Sequence, residues 1–357
     1  MSEKESRIIK ILNGEGHIPF YSKGSVSKTE EDDFYIASLD IYNPVEINKY
    51  IKRFIYKQDK YAKNLSLFLY NHISNRSSVM LVSGPPGNGK SFGAELLKKI
   101  YPETILWDAS NMVQDGYKGS NKVTDIVKAA IKMQHPIIVL DEFDKICVPD
   151  ISSSEVNHNA ALQGEFLKLF EGGGDMIIGE KEETKKIVNT KNWSWLLLGS
   201  FSMKAKDKAG KNSTSGLGFG AIKEEVKPYS KTLTIQDLMD FGMITEVASR
   251  ITKICATDIL SVEDFKYLIT KHENNPVKAV ERDYGIKLNL SEDEIDMMAE
   301  ECYESGLGIR NIKAKLREIA DELIFNEFEK KEIKKETKSL ISGVHDLTYK
   351  SQYVYPL

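Results

Sequence analysis

The sequence predicts an α/β protein, a parallel β-sheet with helices on both faces, followed by a small α-helical C-terminal domain. Three observations carry this reading. Short apolar runs alternate with helix-period segments between residues 79 and 198. A glycine-rich segment joins the first of those runs directly to a helix-like stretch. Beyond residue 254 the strand signals fade while helical patterning continues.

In order along the chain, residues 1–45 mix a short apolar run with Gly, Pro and Ser punctuation and the acidic TEEDD, and read as an arm of unknown role. A helical pattern begins at Asn43-Pro44, with Ile47, Ile51, Phe54 and Ile55 and then Leu65, Phe68, Leu69 and Ile73 at three-to-four spacing. The run Val79-Met-Leu-Val82 has the length and type of a buried strand. Further strands are expected at 104–107, 136–140 and 193–198, with helices at 121–133 and 159–170 between them. Two long polar stretches, 172–186 and 204–227, read as loops, and loops of that length inside a compact domain are functional or disordered. Helices follow at 262–270, 292–303 and 309–328. The expected division is an arm at 1–45, a large α/β domain at 46–255, a small helical domain at 256–345 and a tail at 346–357.

The chain has 357 residues, 41% hydrophobic and 29% charged, the balance of an ordinary globular protein with about two domains at ~150 residues each. A net charge of -4 and a pI near 6.0 supply no global basic field for wrapping nucleic acid. Three cysteines, Cys147, Cys255 and Cys302, lie far apart with no CxxC pair, so neither a disulfide framework nor a zinc ribbon is expected. No apolar run approaches the roughly 20 residues that span a bilayer. The reading is a soluble cytoplasmic protein.

The glycine-rich segment Gly84-Pro85-Pro86-Gly87-Asn88-Gly89-Lys90-Ser91 fits GxxxxGK[ST], and the strand before it and helix after it give the context that a phosphate-binding loop requires. Its glycines let backbone N–H groups turn toward phosphate oxygens, helped by the positive end of the helix that starts with Phe92 close by. Lys90 is expected on the β- and γ-phosphates of a nucleotide, with the Ser91 hydroxyl on Mg²⁺. Downstream, Ile137-Ile-Val-Leu-Asp141-Glu142 is a buried strand ending in two carboxylates. Asp141 would stand beside the metal, and Glu142 would polarise an attacking water. An acidic pair at a strand end is by itself only a solvated turn; its place after this loop points to hydrolysis of a nucleoside triphosphate.

On these residues the chain resembles the AAA+ ATPases and, within them, the ClpX-type protein unfoldases. The likeness runs in order through Phe54-Ile-Tyr-Lys-Gln-Asp, GPPGNGKS, LDEFDKI, AALQGEFLKLFEG, SGLGFGAI, LMDFGMI, ASRI and GIRNI, covering most of residues 46–330. The resemblance implies an AAA+ P-loop sheet with a helical lid and a homo-oligomeric ring, expected to be a hexamer. Gly116-Tyr117-Lys118-Gly119 corresponds to the loop that projects an aromatic into the axial channel and grips a threaded polypeptide. Packing of Tyr117 on a neighbouring helix is the alternative. Residues 148–158 would form a second channel loop. Arg250 matches the arginine finger that reaches the nucleotide of the next subunit, a contribution of roughly 10³–10⁵ in rate in related systems. Arg310 matches the sensor arginine of the helical domain. For both, a surface salt bridge is the plain alternative. Phe54 and Ile55 would line the adenine pocket, unless they are simply core. Leu217-Gly218-Phe219 resembles the tripeptide that docks on a ClpP-like peptidase, against a coincidence in a Gly-rich loop.

The chain also departs from that family. No cysteine precedes Cys147, whereas ClpX proteins begin with a four-cysteine zinc domain. The stretch 172–186 lacks an Arg-Lys-His element, the finger segment reads ITEVASRI, and the first sensor position is Gly199-Ser200 with no amide side chain. The expected function is an ATP-dependent unfoldase and translocase feeding a ClpP-like peptidase. The alternatives are a stand-alone remodelling chaperone and, against the acidic pI, an AAA+ nucleic-acid remodeller.

Overall fold

A computed structural model describes residues 36–114, 121–151, 157–172, 175–178, 186–202, 232–305 and 308–350. The chain divides into two compact units, one ending at Ile259 and the other beginning at Leu260.

The first unit opens with α1 (Pro44–Phe54) and α2 (Asp59–Ile73). Asn43 caps α1, its side chain accepting from Val45 N, and Pro44 stands at the first helical position, where no N–H is required. The alternating part follows as β1 (Val79–Ser83), α3 (Lys90–Ile100), β2 (Thr104–Asp108), α4 (Val123–Ala130) and β3 (Ile137–Asp141). A 3₁₀ turn at Phe143–Ile146 leads to α5 (His158–Glu171), β4 (Asp175–Ile178), β5 (Lys186–Asn189) and β6 (Ser194–Gly199). The unit closes with α6 (Ile235–Phe241), α7 (Thr245–Ala248) and β7 (Lys253–Ala256).

Five strands form one parallel sheet in the order β2-β3-β6-β1-β7. Their near-continuous apolar sequences follow from burial on both faces. Alternate residues feed two cores: Leu81, Ile138, Leu140, Trp195 and Leu197 meet α4, α5 and the 3₁₀ turn on one side. Met80, Val82, Val139, Leu196 and Leu198 meet α1, α2 and α3 on the other. The parallel sheet covered on both faces is the architecture that the sequence predicts.

Two readings need correction. The stretch 172–186 is not wholly a loop, because β4 pairs antiparallel with β5, Asp175 opposite Asn189 and Ile178 opposite Lys186. A fifth parallel strand, β7, lies just where the sheet was expected to have ended. β7 is faint in the sequence for a physical reason: it reads Lys-Ile-Cys-Ala and buries only Cys255, as an edge strand does.

The second unit has its own core, built from Leu260, Phe265, Ile269, Val280, Met298, Cys302, Ile312 and Leu316. Its helices are α8 (Val262–Thr270), α9 (Pro276–Tyr284), α10 (Glu292–Ser305) and α11 (Arg310–Lys350). Ser261 with Asp264 and Ser291 with Glu294 form reciprocal N-terminal caps, two uses of an S-x-x-[DE] signal. α11 runs well past the 328 expected from apolar spacing, with Phe325, Phe328 and Ile333 exposed along it. No helix among the described residues is long and apolar enough to cross a membrane.

Candidate functional site

β1 delivers the chain to the carboxyl edge of the sheet, where ligands bind in open α/β folds. Gly84 to Gly89 then turns back into α3. Gly89 caps that helix with φ at 86°, a left-handed conformation that side chains resist. At Gly84 an added Cβ would lie 1.9 Å from Thr257 Oγ1, so the residue after β7 holds the loop's first turn closed to any larger side chain. Lys90 is nearly buried, and its Nζ donates to the carbonyls of Gly84 (2.6 Å) and Pro85 (2.8 Å). The ammonium therefore stays inside the compass of the loop. Ser91, next on α3, is half-buried, and Phe92 is exposed.

The loop is clasped from outside by residues that no motif announces. Asn88 Nδ2 donates to Asp258 O at 2.8 Å. Buried Gln58 takes the same backbone from both sides, Nε2 donating to Asp258 O and Oε1 accepting from Asp258 N. Tyr61 Oη donates to Lys90 O at 2.8 Å and lies against Gly93, where an added Cβ would come within 2.4 Å of it. Burial holds the Tyr61 phenol far above its ordinary pKa, so it remains a donor. Ile55 is buried with its Cγ2 3.6 Å from where a Gly89 Cβ would stand, while Phe54 lies on Tyr50 with ring centroids 5.0 Å apart.

The acidic pair sits at the same edge, β6 lying between β3 and β1. Asp141 is half-exposed; its carbonyl accepts from Ala109 N and its Oδ1 from Glu142 N at 2.9 Å. Glu142 is exposed and takes a left-handed backbone with φ at 56°. Phe143, directly behind it, is fully buried against Phe166, with ring centroids 5.9 Å apart. An exposed carboxylate is thus mounted on a rigid support.

Ser91 and Asp141 offer a hydroxyl and one carboxylate, hard oxygen donors of the kind that hold Mg²⁺ together with phosphates and water. Among the described residues no group of three or more His, Cys, Asp or Glu could hold a metal ion. That donor set fits a metal carried in with a nucleotide. All three cysteines are free and buried, and burial raises each thiol pKa, Cys302 to about 11.

Arg250 belongs to the opposite edge. Two residues after it, Thr252 N donates to Val79 O, at the start of β1. The five residues of β1 carry the chain roughly 16 Å from there to Gly84, at about 3.3 Å per residue. That is more than a side chain's length, so Arg250 does not reach the phosphate loop of its own chain. It pairs instead with Glu171 at the end of α5, Nη2 to Oε1 at 2.6 Å, both half-exposed. Gln163, buried on α5, fixes the segment leading to Arg250. Its Oε1 accepts from Ile244 N, and its Nε2 donates to Ile146 O (3.0 Å) and Gly242 O (3.3 Å).

Val113 N donates to Asn121 O at 2.9 Å, so the residues flanking 114–120 meet at the carboxyl end of β2. Gly116, Tyr117, Lys118 and Gly119 themselves lie outside the described residues, as do Leu217, Gly218 and Phe219, residues 1–35 of the arm, 152–156 of the second channel loop, and 351–357 of the tail. Val148 and Ile151 are exposed. Arg310 is the first residue of α11, in the second unit.

Comparison with known proteins agrees with this geometry. Residues 80–192 match the model of the ATPase family associated with various cellular activities (AAA). The chain is 26% identical over 324 residues to a Bacteroides thetaiotaomicron protein named ATP-dependent Clp protease ATP-binding subunit ClpX, an alignment covering 80% of this chain and 77% of that one. The family match runs from β1 to just short of β6, and the likeness to ClpX extends across most of the remainder, so the chain carries an ATPase domain of the AAA type and is similar to ClpX well beyond it.

Proposed function

We propose that the protein is an ATP-driven unfoldase and translocase, working in the cytoplasm as a ring of identical subunits, expected to be a hexamer, and delivering polypeptides to a ClpP-like peptidase. The observation that carries the ring is the placing of Arg250. It stands at the edge of the sheet opposite its own phosphate loop, in an exposed ion pair of a type that contributes about 0–1 kcal/mol and is readily exchanged. An arginine in that position suits a head-to-tail neighbour, whose loop it meets from outside. Heterologous contacts of this kind close into rings.

In each site Lys90 and the loop amides would bind the phosphates of ATP, Ser91 and Asp141 would hold Mg²⁺, and Glu142 would orient the attacking water. The metal supplies charge neutralisation on the phosphates when bound. Arg250 of the adjoining subunit would complete the site, and Arg310 would serve as the sensor arginine that the resemblance implies. Phe54, and Ile55 next to Gly89, would flank the base. Val113 and Asn121 meet at the carboxyl edge, which suits the reading of the segment between them, with Tyr117, as the channel loop. Its aromatic face grips side chains without a fixed hydrogen-bond partner. Leu217-Gly218-Phe219 would dock the peptidase, and the likeness to a subunit of a Clp protease supports that partner.

Tyr117→Ala tests the unfoldase reading in the full chain. Unfolding of a stable fluorescent substrate should fall at least tenfold while ATP turnover persists; unchanged unfolding would overturn it. Deletion of residues 217–219 should abolish peptidase-dependent degradation with ATPase activity intact. Unfolding without any effect of that deletion would make the protein a stand-alone remodelling chaperone.

A further inference from the structure

Two left-handed residues other than glycine stand at the carboxyl edge of the sheet: Glu142, just after β3, with φ at 56°, and Phe201, just after β6, with φ at 46°. Residues held in such conformations persist only where their surroundings fix them. A partly buried hydrogen bond joins the two places. Ser200 Oγ donates to Asp144 Oδ2 at 2.7 Å, and Asp144 is 4% exposed. A buried carboxylate is costly unless it is hydrogen-bonded, and nothing in the motif reading uses this one.

The packing around it is close. A Cβ added to Gly199 would lie 2.6 Å from Phe201 Cε2, 2.8 Å from Asp144 Oδ1 and 3.0 Å from Asp144 Cβ. Residue 199 must therefore lack a side chain if Asp144 is to stay where Ser200 meets it. Asp144 belongs to the 3₁₀ turn, in which Lys145 N donates to Glu142 O at 3.0 Å. A shift of Asp144 is transmitted through that single turn to the backbone of Glu142.

We propose that the Asp144–Ser200 hydrogen bond is a positioning device for ATP hydrolysis. It ties the exit of β3 to that of β6 and so keeps Glu142 in the left-handed conformation that directs its carboxylate at the reacting centre. Asp144 and Ser200 act through Glu142, not on the nucleotide. The inference rests on the reading of Glu142 as the group that orients water.

Four variants of the full chain test it, each measured for ATP turnover, MgATP affinity and thermal midpoint. Misplacement of a catalytic group by about 1 Å costs on the order of 10² in rate. Ser200→Ala is therefore expected to lower kcat about 10–100-fold with nucleotide affinity within about threefold of the parent. Ser200→Thr, which keeps the hydroxyl, should restore most of that loss. Gly199→Ala should reproduce the kcat defect without removing either partner, by displacing Asp144. Glu142→Gln is the reference and should bind MgATP without turning it over. If Glu142→Gln abolishes turnover while Ser200→Ala keeps kcat within twofold, the positioning role is wrong. The same holds if kcat, affinity and midpoint fall together in Ser200→Ala and Thr brings none of them back. Turnover surviving in Glu142→Gln would instead remove the reading of Glu142 on which the proposal stands.

Discussion

Glu142, proposed to orient the attacking water, shows how little such a residue's own surroundings reveal. It is exposed, and its placement comes from neighbours that are not: the Asp141 carbonyl held by Ala109, the buried Phe143, and the turn behind them. The phosphate loop and the Asp-Glu pair were legible in the sequence because their chemistry is local, each spacing being a single backbone conformation. Tyr61, Gln58, Asp144 and Gln163 were not legible, since each acts on partners 17 to 200 positions away. Of these, only Gln58 carries a positional hint, as the residue before α2. Tyr61→Phe should remove the bond to Lys90 O and cost about 1 kcal/mol, read from a denaturation curve, with MgATP affinity lowered in parallel. Gly93→Ala should be worse, by about 1–3 kcal/mol, because the added methyl would meet the buried Tyr61 ring at 2.7 Å. A Gly93→Ala protein as stable as the parent would show that α2 is free to move away from the loop.

Among the elements, the amino edge of the sheet is stitched by a buried histidine. His72, at the end of α2, has Nε2 3.0 Å from His135 O and Nδ1 2.9 Å from Ser194 Oγ at the start of β6. A carbonyl only accepts, so Nε2 carries the proton and Nδ1 receives the serine hydroxyl; Ser194 Oγ in turn accepts from Ser78 N. That chain requires a neutral ring, and burial, opposed by the bond to His135 O, lowers the pKa of His72 below its ordinary value. The unfolded chain, with histidine near 6.5, then takes up the proton first as pH falls. Stability is complete above about pH 6.5 and declines through the window between that value and the lowered native one. His272 in the second unit, lowered by burial too, adds to the same slope. The thermal midpoint should therefore drop from pH 7 to pH 5, and His72→Gln should flatten part of that drop; an equally steep profile in the variant would contradict it. Element signals in the sequence failed where the strands were shortest. The strands of the sheet that announced themselves are apolar runs of five or six residues, whereas β4, β5 and β7 have four residues each and open on a charged one.

At the level of the whole molecule, the proposed division of chemistry between subunits follows from the sheet. Its carboxyl edge carries Lys90, Ser91, Asp141 and Glu142, and its amino edge carries Arg250, so a complete site on this reading takes two chains. Gln163 connects them within one chain, bonded at one end to the turn after Glu142 and at the other to the segment before Arg250. In the proposed ring, a change at one nucleotide would thereby have a short covalent and hydrogen-bonded path to the next. The most direct measurement is trans-complementation of ATP turnover. Lys90→Ala lacks the phosphate-binding cation and Arg250→Ala the finger, and each alone should be inactive. Mixed in equal amounts and allowed to reassemble, half the sites have an intact loop and half of those face an intact arginine, so about one quarter of the parent rate should return. No recovery at any ratio, with mixed rings demonstrated by a tag on one variant, would contradict a site shared between subunits.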